Sequence, residues 1–198
     1  MIKALLVDGG GVLFNNVTEE SPFFPRLGSR YGVSPADLRA AYAASEPEFE
    51  TGRTTASLTL REILTRLGGD LDESWAEELR QLYLSCVRPN GDVVAWLRRR
   101  PRNGGVRVFL ANNEARDWDE AKREAFRHLE LFDDAFPSWE VGHVKPEPEF
   151  FAAILSPHGL APHEALVVDD NASCVGAAVA LGLQAVLFDG ARSLPELW

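Results

Sequence analysis

Four polar clusters are spaced along the 198 residues, each at the end of an apolar run or at the start of a helical one. Asp8 ends the run Ala4-Leu5-Leu6-Val7 and opens the triple glycine Gly9-Gly10-Gly11. Ala111-Asn112-Asn113 follow the run Val106–Leu110. Lys145 stands in Gly142-His143-Val144-Lys145-Pro146-Glu147-Pro148, and Asp169-Asp170-Asn171 follow Val167-Val168. A carboxylate on a glycine turn at the C-terminal tip of a buried strand is where open α/β proteins bind ligands. Glycines allow backbone N–H groups to close on an anion and enter positive φ freely. Each cluster has a plainer explanation: a solvated Asp, an Asp pair capping the next helix, a solvated Lys. Their order and spacing together are more specific, because they bring three carboxylates and one ammonium around a single point.

Delivering those residues to one place requires a sheet. Ala4–Val7, Val106–Leu110, Ala165–Val168 and Gln184–Leu187 read as strands whose apolar character on both faces suits a parallel sheet covered by helices. Helical periodicity lies between them, over Pro89–Arg99, Arg116–His128, Pro148–His158 and Asn171–Leu181, the last stopping at Gly182. This alternation predicts a doubly wound α/β fold with a parallel, Rossmann-like sheet. Between the first two strands the pattern breaks. Residues 15–87 hold only helical segments, Pro22–Tyr31, Pro35–Ala44, Ser57–Leu67 and Ser74–Leu84, with Ser34-Pro35, Ser57 and Ser74 as expected caps. The expected organisation is an α/β core of residues 1–14 and 88–198 with a helical subdomain, 15–87, hung over the strand tips. That subdomain reads either as packing alone or as a lid.

Composition removes several function classes. A net charge of −10 argues against nucleic acid or an anionic membrane surface as partner. The one basic run, Arg98-Arg99-Arg100 with Arg102, reads as a solvated helix end. No apolar stretch approaches the roughly 20 residues that span a bilayer, and the chain enters its first strand without a signal-like segment. Cys86 and Cys174, far apart in sequence, form no metal-ligand spacing and no disulfide framework. The expectation is an acidic cytoplasmic protein. Leu194, Leu197 and Trp198 make an apolar C-terminus, which either packs back on the domain or forms a homodimer contact.

The four clusters resemble the sequence motifs of the haloacid dehalogenase-like (HAD) hydrolases over nearly the whole chain. The apolar run with Asp8 matches the first motif, Phe109-Leu110-Ala111-Asn112 the second, Lys145-Pro146 the third and Val167-Val168-Asp169-Asp170-Asn171 the fourth. The helical insertion resembles the type 1 cap of that family, and Gly52-Arg53-Thr54-Thr55 resembles a recurrent cap segment. The resemblance implies a nucleophilic Asp8 that forms an aspartyl-phosphate on a small phosphorylated metabolite. It also implies Mg²⁺ held by Asp8, the Gly10 carbonyl, Asp169 and Asp170, since hard oxygen donors suit that ion. Lys145 would neutralise the nucleophile and the phosphoryl group in flight, and Gly9, Gly10, Asn112 and Asn113 would contact phosphate.

Two positions depart from the family pattern. Where its phosphatases carry a second Asp, the acid for the leaving group and base for water, this chain has Gly10. General acid–base catalysis is worth about 10²–10⁴ in rate. The Ser or Thr of the second motif is Ala111, a lost hydrogen bond of about 1–3 kcal/mol. Three readings follow. The first is a Mg²⁺-dependent phosphatase restricted to good leaving groups, such as sugar phosphates activated at the anomeric carbon. A second is a degenerate member that binds a phosphorylated ligand or a protein without turnover, and a third is a metal-independent haloacid dehalogenase. The paired Asp169-Asp170 opposes the third. Asn15 and Asn16 either reach substrate or cap a turn; Phe14, Phe23 and Phe24 are expected to join the insertion to the core; His143 carries no role.

Overall fold

The structure is a computed structural model that describes residues 1–101 and 105–197. Five parallel strands form one sheet in the order β3-β2-β1-β4-β5. Strand β1 (Ala4–Val7) lies at the centre, wholly buried, between β2 (Arg107–Asn112) and β4 (Ala165–Asp169). Register aligns Val7 with Leu110 and with Val168, so the end of β1 lies level with the apolar residues just before the polar ends of β2 and β4. The sheet order reverses direction at β1, which puts the switch-point crevice of an open α/β sheet at the end of that strand.

Between β1 and β2 come six helices of the insertion: α1 (Val17–Glu20), α2 (Phe23–Tyr31), α3 (Pro35–Ala43), α4 (Glu46–Glu50), α5 (Ala56–Arg66) and α6 (Trp75–Cys86). Helix α7 (Gly91–Arg98) then leads into β2. After β2 follow α8 (Arg116–Phe126), β3 (Asp134–Pro137), α9 (Ser138–Val141), α10 (Pro148–Leu155), β4, α11 (Ala172–Ala180) and the last strand, β5 (Gln184–Leu187). Helix starts follow their caps. Ser34 accepts from the Asp37 N–H with Pro35 in the first turn, Asn90 caps α7, and Asn171 accepts from the N–H groups of Ser173 and Cys174.

Several expectations need correction. Strand β2 runs two residues further than its apolar stretch, so Ala111 and Asn112 belong to the strand. Strand β3 is too short and too polar to register as an apolar run. Strand β5 is an edge: Gln184 and Leu187 are exposed rather than buried on both faces. Helices α1 and α4 were not expected, being single turns without a full period. The cap of α5 is Thr55, whose side chain accepts from the Leu58 N–H, not Ser57, and Ser74 makes no capping hydrogen bond to α6. Arg100 is not merely solvated, since it pairs with Asp133 at 2.5 Å. Arg102 and Trp198 lie outside the described residues, while Leu194 and Leu197 pack back onto the core and the Pro195 carbonyl accepts from Trp96 Nε1 at 3.2 Å.

Two apolar clusters cover the sheet. One face packs against α10 and α11 through Leu6, Phe109, Phe150, Phe151 and Ile154. The other continues without a break from Leu5 and Val7 into the insertion at Phe23, Leu27, Leu60 and Leu64. At the seam, Trp118 of α8 stacks on Tyr83 of α6 with ring centroids 4.1 Å apart, and its Nε1 donates to the Tyr42 hydroxyl at 3.0 Å. Phe23 joins the insertion to this seam, edge-on to Trp118. No helix among the described residues is long and apolar enough to cross a membrane.

Candidate active site

Asp8 is placed by the ladder itself, its N–H donating to the Val168 carbonyl at 3.0 Å one residue past the end of β1. The chain then turns through three glycines with different duties. A Cβ on Gly9 would lie 2.5 Å from the Asn112 side chain, so the turn can pass under β2 only without one. Gly11 has φ of +73°, and a Cβ there would lie 1.8 Å from an Asp170 carboxylate oxygen. Only glycine meets both conditions. Gly10 differs: nothing lies within 4 Å of the space its side chain would fill.

Lys145, brought in by the loop before α10, is buried and bridges two strand tips. Its Nζ donates to Asp8 Oδ1 and to Asp169 Oδ2, both at 2.6 Å. Asn113 fixes that loop: its amide nitrogen donates to the Lys145 carbonyl at 2.9 Å and its oxygen accepts from the Lys145 N–H at 2.7 Å. The amide expected to contact phosphate is therefore engaged in positioning the lysine. Asp169 is doubly committed as well, since its other oxygen accepts from the Asn171 N–H at 2.8 Å.

Ligand atoms of Asp8, Asp169 and Asp170 lie within 4.8 Å of one another. Burial, reinforced by Asp169 and only partly offset by Lys145, pushes the Asp8 carboxyl up to about 7. Burial and the Asp169 charge also raise Asp170. Burial alone would lower the Lys145 ammonium, but Asp8 and Asp169 outweigh it and hold the group charged. One ammonium thus faces three carboxylates, an imbalance that a divalent cation would relieve. Asp170 and the second oxygen of Asp8 are the free donors, and the donor set fits Mg²⁺, a hard ion that takes a few carboxylates and keeps its waters.

Above these groups is a cavity of about 280 Å³. Its floor includes Asp8, Gly10, Asn112, Asn113, Lys145 and the Asp169–Asn171 turn. Its walls mix aromatic side chains, Phe14, Tyr42, Phe49, Tyr83 and Trp118, with polar ones such as Asn16, Thr18, Glu46, Glu114 and Lys122. Glu50, at the end of α4, lines it too. Gly9 lies beneath Asn112, and Ala111 is buried in the apolar cluster with Phe109 and Phe150. Cys174 also borders the cavity, with its thiol pushed up to about 12 by burial and the nearby Asp169.

Asn15 joins the two ends of the insertion. Its side chain donates to the Cys86 carbonyl and accepts from the Arg88 N–H, tying the two strands that enter and leave the insertion. Sequence reasoning missed Glu50, Tyr42 and Asp117. Asp117 of α8 accepts from the N–H groups of Ala56 and Ser57 at 3.0 and 2.8 Å, so a core carboxylate caps α5 of the insertion. Gly52, at φ +75°, comes so close to α9 that a Cβ would lie 2.4 Å from the Trp139 carbonyl oxygen. The segment Gly52–Thr55 was legible as a motif; the docking partners of this stretch, 60 and more residues away, were not.

With this geometry, the chain belongs to the haloacid dehalogenase-like hydrolase family, whose sequence model matches residues 2–182. A sesquiterpene phosphatase of Aspergillus oryzae (strain ATCC 42149 / RIB 40) is 27% identical over 183 residues, covering 91% of this chain and 87% of that protein. A drimenol cyclase of Aspergillus calidoustus is 26% identical over 198 residues; the match takes in 95% of this chain but only 34%, about a third, of the cyclase. Among solved structures, a HAD family enzyme of Bacteroides thetaiotaomicron in its magnesium complex superposes with a TM-score of 0.75 at 21% identity, over 100% of this chain and 96% of that one. The same enzyme has been crystallised with magnesium and inorganic phosphate. The L-2-haloacid dehalogenase of Xanthobacter autotrophicus with covalently bound chloropropionic acid reaches 0.67 at 22% identity, over 93% and 76% of the two chains. At these identities the structures establish the shared fold.

Proposed function

We propose that this hydrolase is a Mg²⁺-dependent phosphatase of a small phosphorylated metabolite, with the helical insertion as its cap. The observation that carries the reading is the bridge from Lys145 to Asp8 and Asp169 at 2.6 Å beside a third carboxylate, Asp170. The Asp8 carboxylate attacks phosphorus. Lys145 stays protonated throughout, neutralising Asp8 on approach and the phosphoryl oxygens as charge develops on them. Asn113 holds the lysine loop, and Asp169 fixes the lysine from its far side. Mg²⁺, held by Asp8, Asp170 and the Gly10 carbonyl, would supply charge neutralisation between nucleophile and phosphate. Water then hydrolyses the aspartyl-phosphate.

The aromatic side chains among the lining, Tyr42, Phe49, Tyr83 and Trp118, give an apolar carbon skeleton a surface to pack on. The sesquiterpene phosphatase relative supports the same direction. The test is phosphate release by purified protein with Mg²⁺ from p-nitrophenyl phosphate, farnesyl phosphate and glucose 1-phosphate, beside Asp8→Asn. The expected result is release that requires Asp8 and favours the apolar ester. Equal rates in the two proteins would leave a binding protein instead, the reading that Gly10 and Ala111 favour.

A further inference from the structure

The site as described has a nucleophile and positive charge but no proton donor, because the position that would carry one is Gly10, open space on the cavity floor. The geometry points to Glu50 of the insertion as the general acid that protonates the leaving oxygen. This inference rests on the phosphatase reading above.

Phosphoryl transfer sets its direction. Attacking and leaving oxygens lie roughly in line through phosphorus, so an ester bound against Asp8 directs its leaving oxygen away from the strand tips, into the part of the cavity lined by the insertion. Of the carboxylates that the insertion contributes to that lining, Glu19 is exposed, while Glu46 and Glu50 are partly buried and make no side-chain hydrogen bond or ion pair among the described residues. Whereas Glu46 feels only Glu19, Glu50 is the one that faces the floor, within reach of the charges of Asp8, Glu114 and Lys145. It is also held in place. Two residues later Gly52 docks on the Trp139 carbonyl, and four and five residues beyond that Asp117 of the core grips the N–H groups of Ala56 and Ser57. A residue on a freely swinging cap would have neither restraint.

Its surroundings keep the proton on it. Burial raises the carboxyl to about 8, with Glu46 on the same helix, Glu114 beyond β2 and Asp8 at the β1 tip adding to the rise, and Lys145 opposing it. Helix α9, packed against α4, brings Glu140 as its one titratable group. A donor poised near the working pH is the one that general acid catalysis favours. The step balances without another reactant. Asp8 forms a bond to phosphorus, the P–OR bond breaks, and the departing oxygen takes the Glu50 proton to leave as ROH. Water then attacks the aspartyl-phosphate, Glu50 takes one of its protons, and inorganic phosphate leaves with Asp8 free and Glu50 reprotonated.

The experiment is the dependence of kcat/KM on leaving group, for the full chain with Mg²⁺, over p-nitrophenyl, phenyl, benzyl and hexyl phosphates. Glu50→Gln is expected to lose less than tenfold on the nitrophenyl ester, whose phenolate needs no proton, and about 10²-fold or more on the benzyl and hexyl esters. On the nitrophenyl ester it should release one rapid equivalent of nitrophenolate before a slow steady state, because the base for water is lost as well. The wild-type rate on benzyl phosphate should fall as pH rises through about 8, and that limb should be absent from the variant. Glu50→Asp should recover part of the alkyl-ester rate. Equal losses on all four esters, or none, overturn the assignment while leaving the phosphatase intact. Wild-type protein that releases phosphate from none of them, like Asp8→Asn, removes the phosphatase reading and Glu50 with it.

Discussion

Asp8, Lys145, Asp169 and Asp170 form an unbalanced charge cluster, and each member has a different kind of partner. Lys145 is the keystone, so replacing it leaves two buried carboxylates without their cation. Lys145→Met should cost about 3–5 kcal/mol in urea unfolding without metal, the usual penalty for breaking a buried ion pair. A Glu50 carboxyl near 8 in the folded state and near 4.5 in the unfolded chain means that folding takes up a proton between those values. The folded state binds more protons than the unfolded one in that window, so stability is lost as pH rises through it. Glu50→Gln should flatten the decline in Tm between pH 5 and 8. At Gly10 the open space admits a carboxylate. Gly10→Asp should therefore raise kcat on alkyl phosphates by tenfold or more in the Glu50→Gln background; a rate unchanged or lowered would show that an acid at this position cannot reach the leaving oxygen.

The elements that matter are those carrying the insertion onto the core. Asn15 ties the two crossing strands, Asp117 caps α5 from α8, and Gly52 lets the chain after α4 lie on α9. Asp117→Ala removes a charged cap with two acceptors and should cost about 1–2 kcal/mol in thermal unfolding. The same variant should lower kcat more than it raises KM, because what it loosens is the segment that carries Glu50. These contacts also show where sequence reading stops at this scale. The Ser34-Pro35 start of α3 is visible in the sequence because a cap is a local matter. The Thr55 start of α5 is half visible, for its second cap, Asp117, comes from a distant helix. Strand β3 has only four residues, opening on an exposed Asp134 and ending on Pro137, and exists because β2 offers it an edge to pair with.

Across the whole molecule, insertion and core share one apolar cluster running from Leu5 and Val7 to Leu60 and Leu64, with Trp118 set between them. Separate domains with a mobile lid would have separate cores. Urea unfolding followed by tryptophan fluorescence and by far-ultraviolet circular dichroism should therefore give one coincident transition. Mg²⁺ at a hundred times its Kd should stabilise the folded state by about 2.7 kcal/mol. Asp170→Ala should abolish most of that shift while leaving the metal-free Tm close to wild type, since Asp170 is exposed and has no ion pair to lose.

Four of the five strands, the helical insertion and the four polar clusters could be read from the chain alone. These follow from apolar periodicity and local turn chemistry, which neighbouring residues decide. The chain also showed what was missing, at Gly10 and Ala111. Only the tertiary structure decided which groups remain free. It showed Asn113, expected at the phosphate, bracing the Lys145 loop, and committed Asp169 to that lysine. It placed Ala111 in the core and brought Glu50 to the lining of a cavity whose floor residues lie 40 and more residues away in the chain. Partnership and desolvation arise between segments distant in sequence, and they set the charge and availability of every group that the chemistry would use.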